Sequence, residues 1–181
     1  MASVTLDPET ESAIVFVEGY RPGLLAEIVG LHMAYYAPQW GFGAAFEAKI
    51  SADMAAFLQQ YQDDRDLLLA VRDRDGALVG SVVIHGPHAS PGGEVEDGAH
   101  LRWFIVDDRV RGHGLGHALL EWAVRFCDAR RYPLCFLNTF AGLNAARHLY
   151  ESQGFTLVAT SDVDQWSGGV QEQRFERLLV D

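Results

Sequence analysis

Arg111-Gly112-His113-Gly114-Leu115-Gly116 stands between an apolar run, His100 to Val106, and a segment whose apolar residues repeat at helical spacing. Three glycines at alternate positions let a backbone approach a ligand with no side chain in the way. A helix beginning near residue 114 adds first-turn amides that lack internal partners and lie at the positive end of its dipole, which makes an anion site. A tight turn ahead of a helix is the competing reading of the same six residues. Two nucleotide loops fit badly. No Gly-Lys-Ser/Thr follows, so a P-loop is out. The third glycine of a dinucleotide fingerprint would fall on His117 or Leu119.

Working outward, Leu115, Leu119, Trp122 and Phe126 line one side of a helix from about 114 to 130. Pro133 to Leu137 is continuously apolar, as a strand covered on both faces should be. Strand, helix and strand in that order imply a right-handed parallel crossover. A short helix over 143–152 ends at Gly154, and strands over 155–160 and 170–180 follow. Upstream, Ile14 to Glu18 reads as a strand, and Leu24, Leu25, Ile28, Leu31 and His32 as a helix over 22–36 that Pro38, Gly41 and Gly43 interrupt. Phe46, Ile50, Met54, Phe57 and Leu58 share a face of a second helix. Strands over 66–71 and 77–85 flank the turn Asp73-Arg74-Asp75-Gly76, and 86–99 reads as a surface loop. The order is βααβββαβαββ, an α+β domain with a mixed sheet flanked by helices. Residues 1–13 read as frayed and 14–181 as one domain.

The 181 residues carry 14 basic and 25 acidic side chains, a formal net charge of −11. A field of that sign disfavours nucleic acid and anionic membranes and favours cationic partners. Two cysteines, Cys127 and Cys135, sit in apolar segments, which suits a reducing cytoplasm and excludes a disulfide scaffold. No apolar run approaches the roughly 20 residues of a membrane span, and the first residues lack a secretory signal's pattern. The histidines are scattered, without ligand spacing, so no metal is expected.

Arg111-x-x-Gly114-x-Gly116 resembles the acetyl-CoA loop of the GNAT family of N-acetyltransferases, and Asn144, Leu149-Tyr150 and Gly154-Phe155 resemble its second signature. The strand Trp103 to Val106 and the element order also fit. More weakly, Phe140 to Tyr150 and Glu172 to Glu176 resemble the acetyltransferase half of MarR-type fusion proteins, with no room for a winged helix before residue 14 and hence a free-standing relative. The resemblance implies two parallel strands that splay apart, with pantetheine lying between them. It implies that Phe104, Ile105 and Val106 meet the pantetheine, the backbone of Gly112, His113, Gly114, Leu115, Gly116 and His117 holds the pyrophosphate, and Arg111 adds charge. Asn138 and Asn144 fall on the cofactor side, Asn144 doubling as a candidate helix N-cap.

The implied chemistry is acetyl transfer from acetyl-CoA to a primary amine within a ternary complex. Tyr150 matches the family's general acid at the thiol, with a packing role as the alternative. The Val106 amide is the candidate oxyanion donor. Several members carry a glutamate where this chain has His100. Strand alternation groups His100 with Arg102, Phe104 and Val106, so His100 is a candidate base with an imidazole limb at about pH 6–7.5. A water relay is the alternative, and His85 and Glu96 are weaker candidates. Tyr35, Tyr36, Trp40 and Phe42 read as core or as a cage for a cationic amine. Asp63, Asp64, Asp66, Glu94, Glu96 and Asp97 could attract such an acceptor. A small amine, a protein lysine and a protein N-terminus all remain open, as does a homodimer. So do a non-catalytic acetyl-CoA-binding module and an acyltransferase using a longer acyl-CoA.

Overall fold

A computed structural model describes residues 14–88, 98–162 and 169–179. Its elements are β1 (Ile14–Glu18), α1 (Leu24–Trp40), α2 (Ala44–Gln59), β2 (Leu67–Asp73), β3 (Leu78–His85) and β4 (Ala99–Val106). A short 3₁₀ turn (Asp108–Val110) leads into α3 (Leu115–Ala129), β5 (Leu134–Phe140), α4 (Asn144–Ser152), β6 (Thr156–Ser161) and β7 (Glu172–Leu178). The seven strands form one mixed sheet in the order β1-β2-β3-β4-β5-β7-β6. All neighbours are antiparallel except β4 and β5, the crossover pair.

The centre of the sheet is covered on both faces, which is why β2 and β3 are almost unbroken runs of Leu, Val and Ile. One face packs under α3 through Leu115, Leu119, Leu120, Ala123 and Val124. Full burial of such side chains is worth about 1.5–3 kcal/mol each. The other face packs under α1 and α2 through Leu24, Ile28, Met54 and Phe57. Trp122 departs from the expected stripe: it is 42% exposed and stacks on Phe16 of β1 at 5.4 Å.

Helix α1 runs past Pro38 to Trp40, four residues beyond its expected end. Proline removes one helical hydrogen bond. The extra turn compensates by docking Trp40 on Phe140, beside Tyr36 and Phe42, and the Gly41 N–H closes it on the Ala37 carbonyl at 3.1 Å.

A β-bulge in β4 corrects the alternation expected there. Ser81 pairs with Ile105 and Val83 with Arg102, so two residues of β4, Trp103 and Phe104, face Val82 alone. Trp103 takes φ of 46°, a left-handed conformation that costs a bulky residue about 1–3 kcal/mol. The Ser81 hydroxyl, donating to the Trp103 carbonyl at 2.8 Å, and the buried Trp103 ring against Phe57 hold it there. The extra residue shifts the parity of the strand. Trp103 packs with the α1–α2 core and Val106 with the α3 core, so Phe104 and Val106 do not share a face with His100 and Arg102. No helix among the described residues is long and apolar enough to cross a membrane.

Candidate active site

β4 and β5 pair only at Ala99–Cys135 and His100–Phe136, then diverge. The gap is a cleft of about 650 Å³, bordered by β4, the glycine loop and α4. The backbone of β4 is turned toward it. The Asp107 N–H donates to the Val79 carbonyl at 2.9 Å, which fixes the antiparallel alternation with β3. Ile105 therefore spends its peptide groups on β3, while Phe104 and Val106 direct theirs into the gap. That is the arrangement an extended amide-bearing ligand needs. Ile105 contributes only to the wall.

At the head of the cleft, the first helical bond of α3 runs from the Ala118 N–H to the Gly114 carbonyl at 3.0 Å. The amides of Leu115, Gly116 and His117 are thus left at the helix start, where the dipole favours an anion. Gly112 and Gly114 adopt φ of 84° and 85°, values open to glycine and strained for other residues. Gly112, Gly114, Gly116 and His117 all border the cleft. His113 does not, and points to solvent. Gln153 donates to His117 Nε2 at 2.8 Å and fixes that ring.

Arg111 is anchored rather than loose. Its Nε donates to the Val106 carbonyl at 3.0 Å, it pairs with Asp108 at 2.5 Å, and its guanidinium lies 4.2 Å over the Tyr35 ring. A positive charge is thereby fixed beside the anion site, and one Val106 lone pair is already used. Asn144 is the first residue of α4, whose N-cap is Leu143, so the capping role does not hold; its side chain is exposed and borders the cleft.

A second, smaller chamber of about 130 Å³ adjoins the cleft on the α1–α2 side. Its polar lining includes His32, Lys49, Asp53, His100, Arg102 and Asn138. Asn138 therefore belongs to this chamber and not to the cleft. The reason is that β5 continues past Leu137 to Phe140. Lys49 Nζ and Arg102 converge on one oxygen of Asp53, at 3.1 and 2.8 Å. Arg102 also lies 4.3 Å over the Trp103 ring. The sequence pattern does not single out Lys49 and Asp53. Its only signal is that Lys49 is the sole lysine of the chain.

Tyr36, Phe104 and Tyr150 border both cavities. Tyr150 is 6% exposed, with its ring 5.9 Å from Phe104 and from Phe175. Burial, assisted by Tyr36, pushes its phenol above the ordinary range, so it holds its proton firmly. His100 stacks on Phe136 at 4.3 Å and faces His85 across the ladder. Burial and the Arg102 charge hold its pKa well below the usual 6.5, which moves any imidazole limb below the expected pH 6–7.5. His85 is buried, stacked on His88 at 3.7 Å, and pushed down to about 4 by burial. It borders neither cavity.

The aromatic segment resolves chiefly as core: Phe42, Phe46 and Phe140 are buried together, and the cation stacked on Tyr35 is the protein's own Arg111. Asp66 is structural, accepting from the Gln62 and Gly86 amides and from Arg65. The Asp63 and Asp64 carbonyls accept from Arg130, and neither residue borders the chamber. Glu94, Glu96 and Asp97 lie outside the described residues. Among the described residues, no group of three or more His, Cys, Asp or Glu is placed to hold a metal ion.

The fold has known counterparts. The chain is 32% identical over 137 residues to the N-acetylaspartate synthetase of Homo sapiens, an alignment covering 76% of this chain and 43% of that protein. Its fold matches a GNAT-family acetyltransferase from Staphylococcus aureus at a TM-score of 0.70 and 15% identity, covering 93% of this chain and all of that one. The NatC complex bound to Gag peptide and CoA also gives 0.70, at 17% identity, covering 93% and 99%. The model of the acetyltransferase (GNAT) family matches residues 26–155, and with the splayed strand pair and glycine loop in place the chain belongs to that family.

Proposed function

We propose that this protein is an acetyl-CoA-dependent N-acetyltransferase whose acceptor is a small amine carrying a carboxylate. Residues 14–181 act as one catalytic domain. Support for the donor comes from the family, the peptide groups facing the cleft and the amides at the start of α3. The acceptor reading is carried by one observation: among the described residues that line the chamber, two cations, Lys49 and Arg102, converge on Asp53. The chain as a whole is strongly acidic, but charges beyond about 8–10 Å are screened at physiological salt, so the groups lining the chamber govern what binds there. A chamber of about 130 Å³ favours a small acceptor over a peptide segment. The name of the related N-acetylaspartate synthetase points the same way, toward an N-acetylated amino acid.

Bound acetyl-CoA supplies the thioester that the amine nitrogen attacks. A nitrogen–carbon bond forms, the carbon–sulfur bond breaks, and the residues manage two protons and one negative charge. The Val106 amide, facing the gap, stabilises the oxyanion. Tyr150 gives its proton to the departing sulfur. Neutral His100 accepts the amine proton, directly or through a water it orients. With its pKa depressed, its limb in the rate profile lies below pH 6.5 and His100→Ala removes it. An unchanged limb in that variant takes His100 out of the mechanism.

The resemblance of Phe140 to Tyr150 and Glu172 to Glu176 to regulator-fused acetyltransferases adds a likeness of sequence alone. The unpaired Cys127 and Cys135 support a reducing, cytoplasmic setting. Matched amines, with and without a carboxylate, test the acceptor in a CoA-release assay. Charge-assisted hydrogen bonds are worth about 1.5–3 kcal/mol, so the carboxylate should raise kcat/KM about 10- to 150-fold. Preference for a polyamine overturns the acceptor reading.

A further inference from the structure

We infer that Tyr36 sets the acyl-chain length, closing the passage between cleft and chamber so that an acetyl group fits and longer acyl groups do not. The inference rests on the acetyl-transfer reading and deepens it.

Amine and thioester approach from different cavities and must meet where the two adjoin, at Tyr36, Phe104 and Tyr150. Two of these walls are fixed by the sheet. Phe104 is held in the bulge with Trp103, and Tyr150 packs on Phe155 and on Phe175 of β7 at 6.3 and 5.9 Å. Tyr36 closes the passage from α1. Its ring is backed by Phe42, Phe46 and Phe140, at centroid separations of 5.7, 5.3 and 5.7 Å. Trp40 braces Phe140 at 4.8 Å and lies so close to Gly142 that a Cβ there would collide with it. A ring held this way cannot step aside, because interiors are packed to crystal density.

The two cavities differ in the room they offer. The cleft, at about 650 Å³, accommodates a long ligand, whereas the chamber has about 130 Å³. On the same measure the chamber therefore has about one fifth of the room of the cleft. The acetyl group and the reacting end of an amine must share that smaller space. An acyl chain grows away from the sulfur, so every added methylene presses on Tyr36 and its backing rings.

The test compares kcat/KM for acetyl-, propionyl- and butyryl-CoA, with the melting temperature of the full chain recorded in each. A surplus methylene in an apolar pocket is discriminated by about 10- to 200-fold. The wild type should show a loss of that order per added carbon. Tyr36→Ala should raise the butyryl-to-acetyl ratio by a similar factor, while Tyr36→Phe, which keeps the ring, should keep the wild-type ratio. If the alanine chain does not fold, Tyr36→Leu carries the same expectation. A wild type that uses butyryl-CoA as well as acetyl-CoA overturns the gate, and so does an unchanged ratio in the folded alanine or leucine variant. Stabilisation by acetyl-CoA but not butyryl-CoA, without turnover, supports the gate and removes the catalytic reading. Stabilisation by none of the three overturns the cofactor reading and the gate together.

Discussion

The cleft and the chamber share three residues and are built on different principles. The cleft is made largely of backbone: peptide groups of Phe104 and Val106, first-turn amides of α3, and glycines that keep side chains away. The chamber is made of side chains from α1, α2, β4 and β5 that meet only in the folded chain. A backbone site tolerates variation in most of its side chains and recognises a ligand with a repeating amide-and-phosphate pattern. A side-chain site can be re-specified one residue at a time. The proposed donor reading therefore leans on the family's loop, and the proposed acceptor reading on this chain's own side chains.

Four measurements could break or sharpen that division. The largest effect is expected where the halves meet. Tyr150→Phe keeps the ring and its packing but removes the proton, so turnover should fall about 10²–10⁴-fold with little change in acetyl-CoA binding. Wild-type turnover in that variant would show that sulfur leaves without Tyr150.

Next comes the backbone half. Acetyl-CoA at 100 times its dissociation constant should add about 2.7 kcal/mol, which for a chain of this size raises Tm by roughly 5–11 °C. Gly116→Glu should abolish that rise. Gly116 is preferable to Gly114 because its φ is ordinary, and a Cβ there meets the flexible tip of Leu149 at 3.1 Å. An undiminished shift would mean the loop does not hold the pyrophosphate.

For the chamber, Lys49→Met should raise KM for a carboxylate-bearing amine about 10- to 100-fold and leave acetyl-CoA stabilisation intact. Loss of the acetyl-CoA shift as well would erase the distinction between the halves.

The smallest effect is on stability. Burial holds His32 and His85 at about 4 when folded, against an ordinary value of 6.5. Between those values the unfolded chain binds more protons, so stability falls as pH drops below 6.5. Each histidine should cost about 1.4 kcal/mol by pH 5.5, readable by urea denaturation at pH 7.5 and 5.5. His100, also held well below 6.5, adds to the slope, so His32→Leu should remove about a third of the dependence, and an unchanged slope would show that His32 is not protonated on unfolding.

The same division decides what was legible in the sequence. Glycine spacing, the Asn144 to Phe155 signature and the apolar periods of β5 and α3 are local patterns, and they give the element order and the cleft. Local patterns do not give the bulge at Trp103, since it depends on Ser81 reaching across from β3; the lone serine in an apolar strand is its only trace. Alternation therefore misplaced Phe104 and Val106 relative to His100. Pro38 stays helical because α1 gains the aromatic core. Asn138 enters the chamber because β5 outlasts its apolar run. Lys49 and Arg102 converge although 53 positions separate them, a relation no local window contains.

Lys49 is the one lysine in the chain, every other basic side chain being arginine. Apart from the α-amino group, an amine-directed reagent therefore has a single address in this sequence, at the wall of the chamber. A fluorophore or spin label attached there would need no engineered handle. Shielding of that amine by a bound acceptor would turn an ordinary labelling reaction into a direct readout of chamber occupancy.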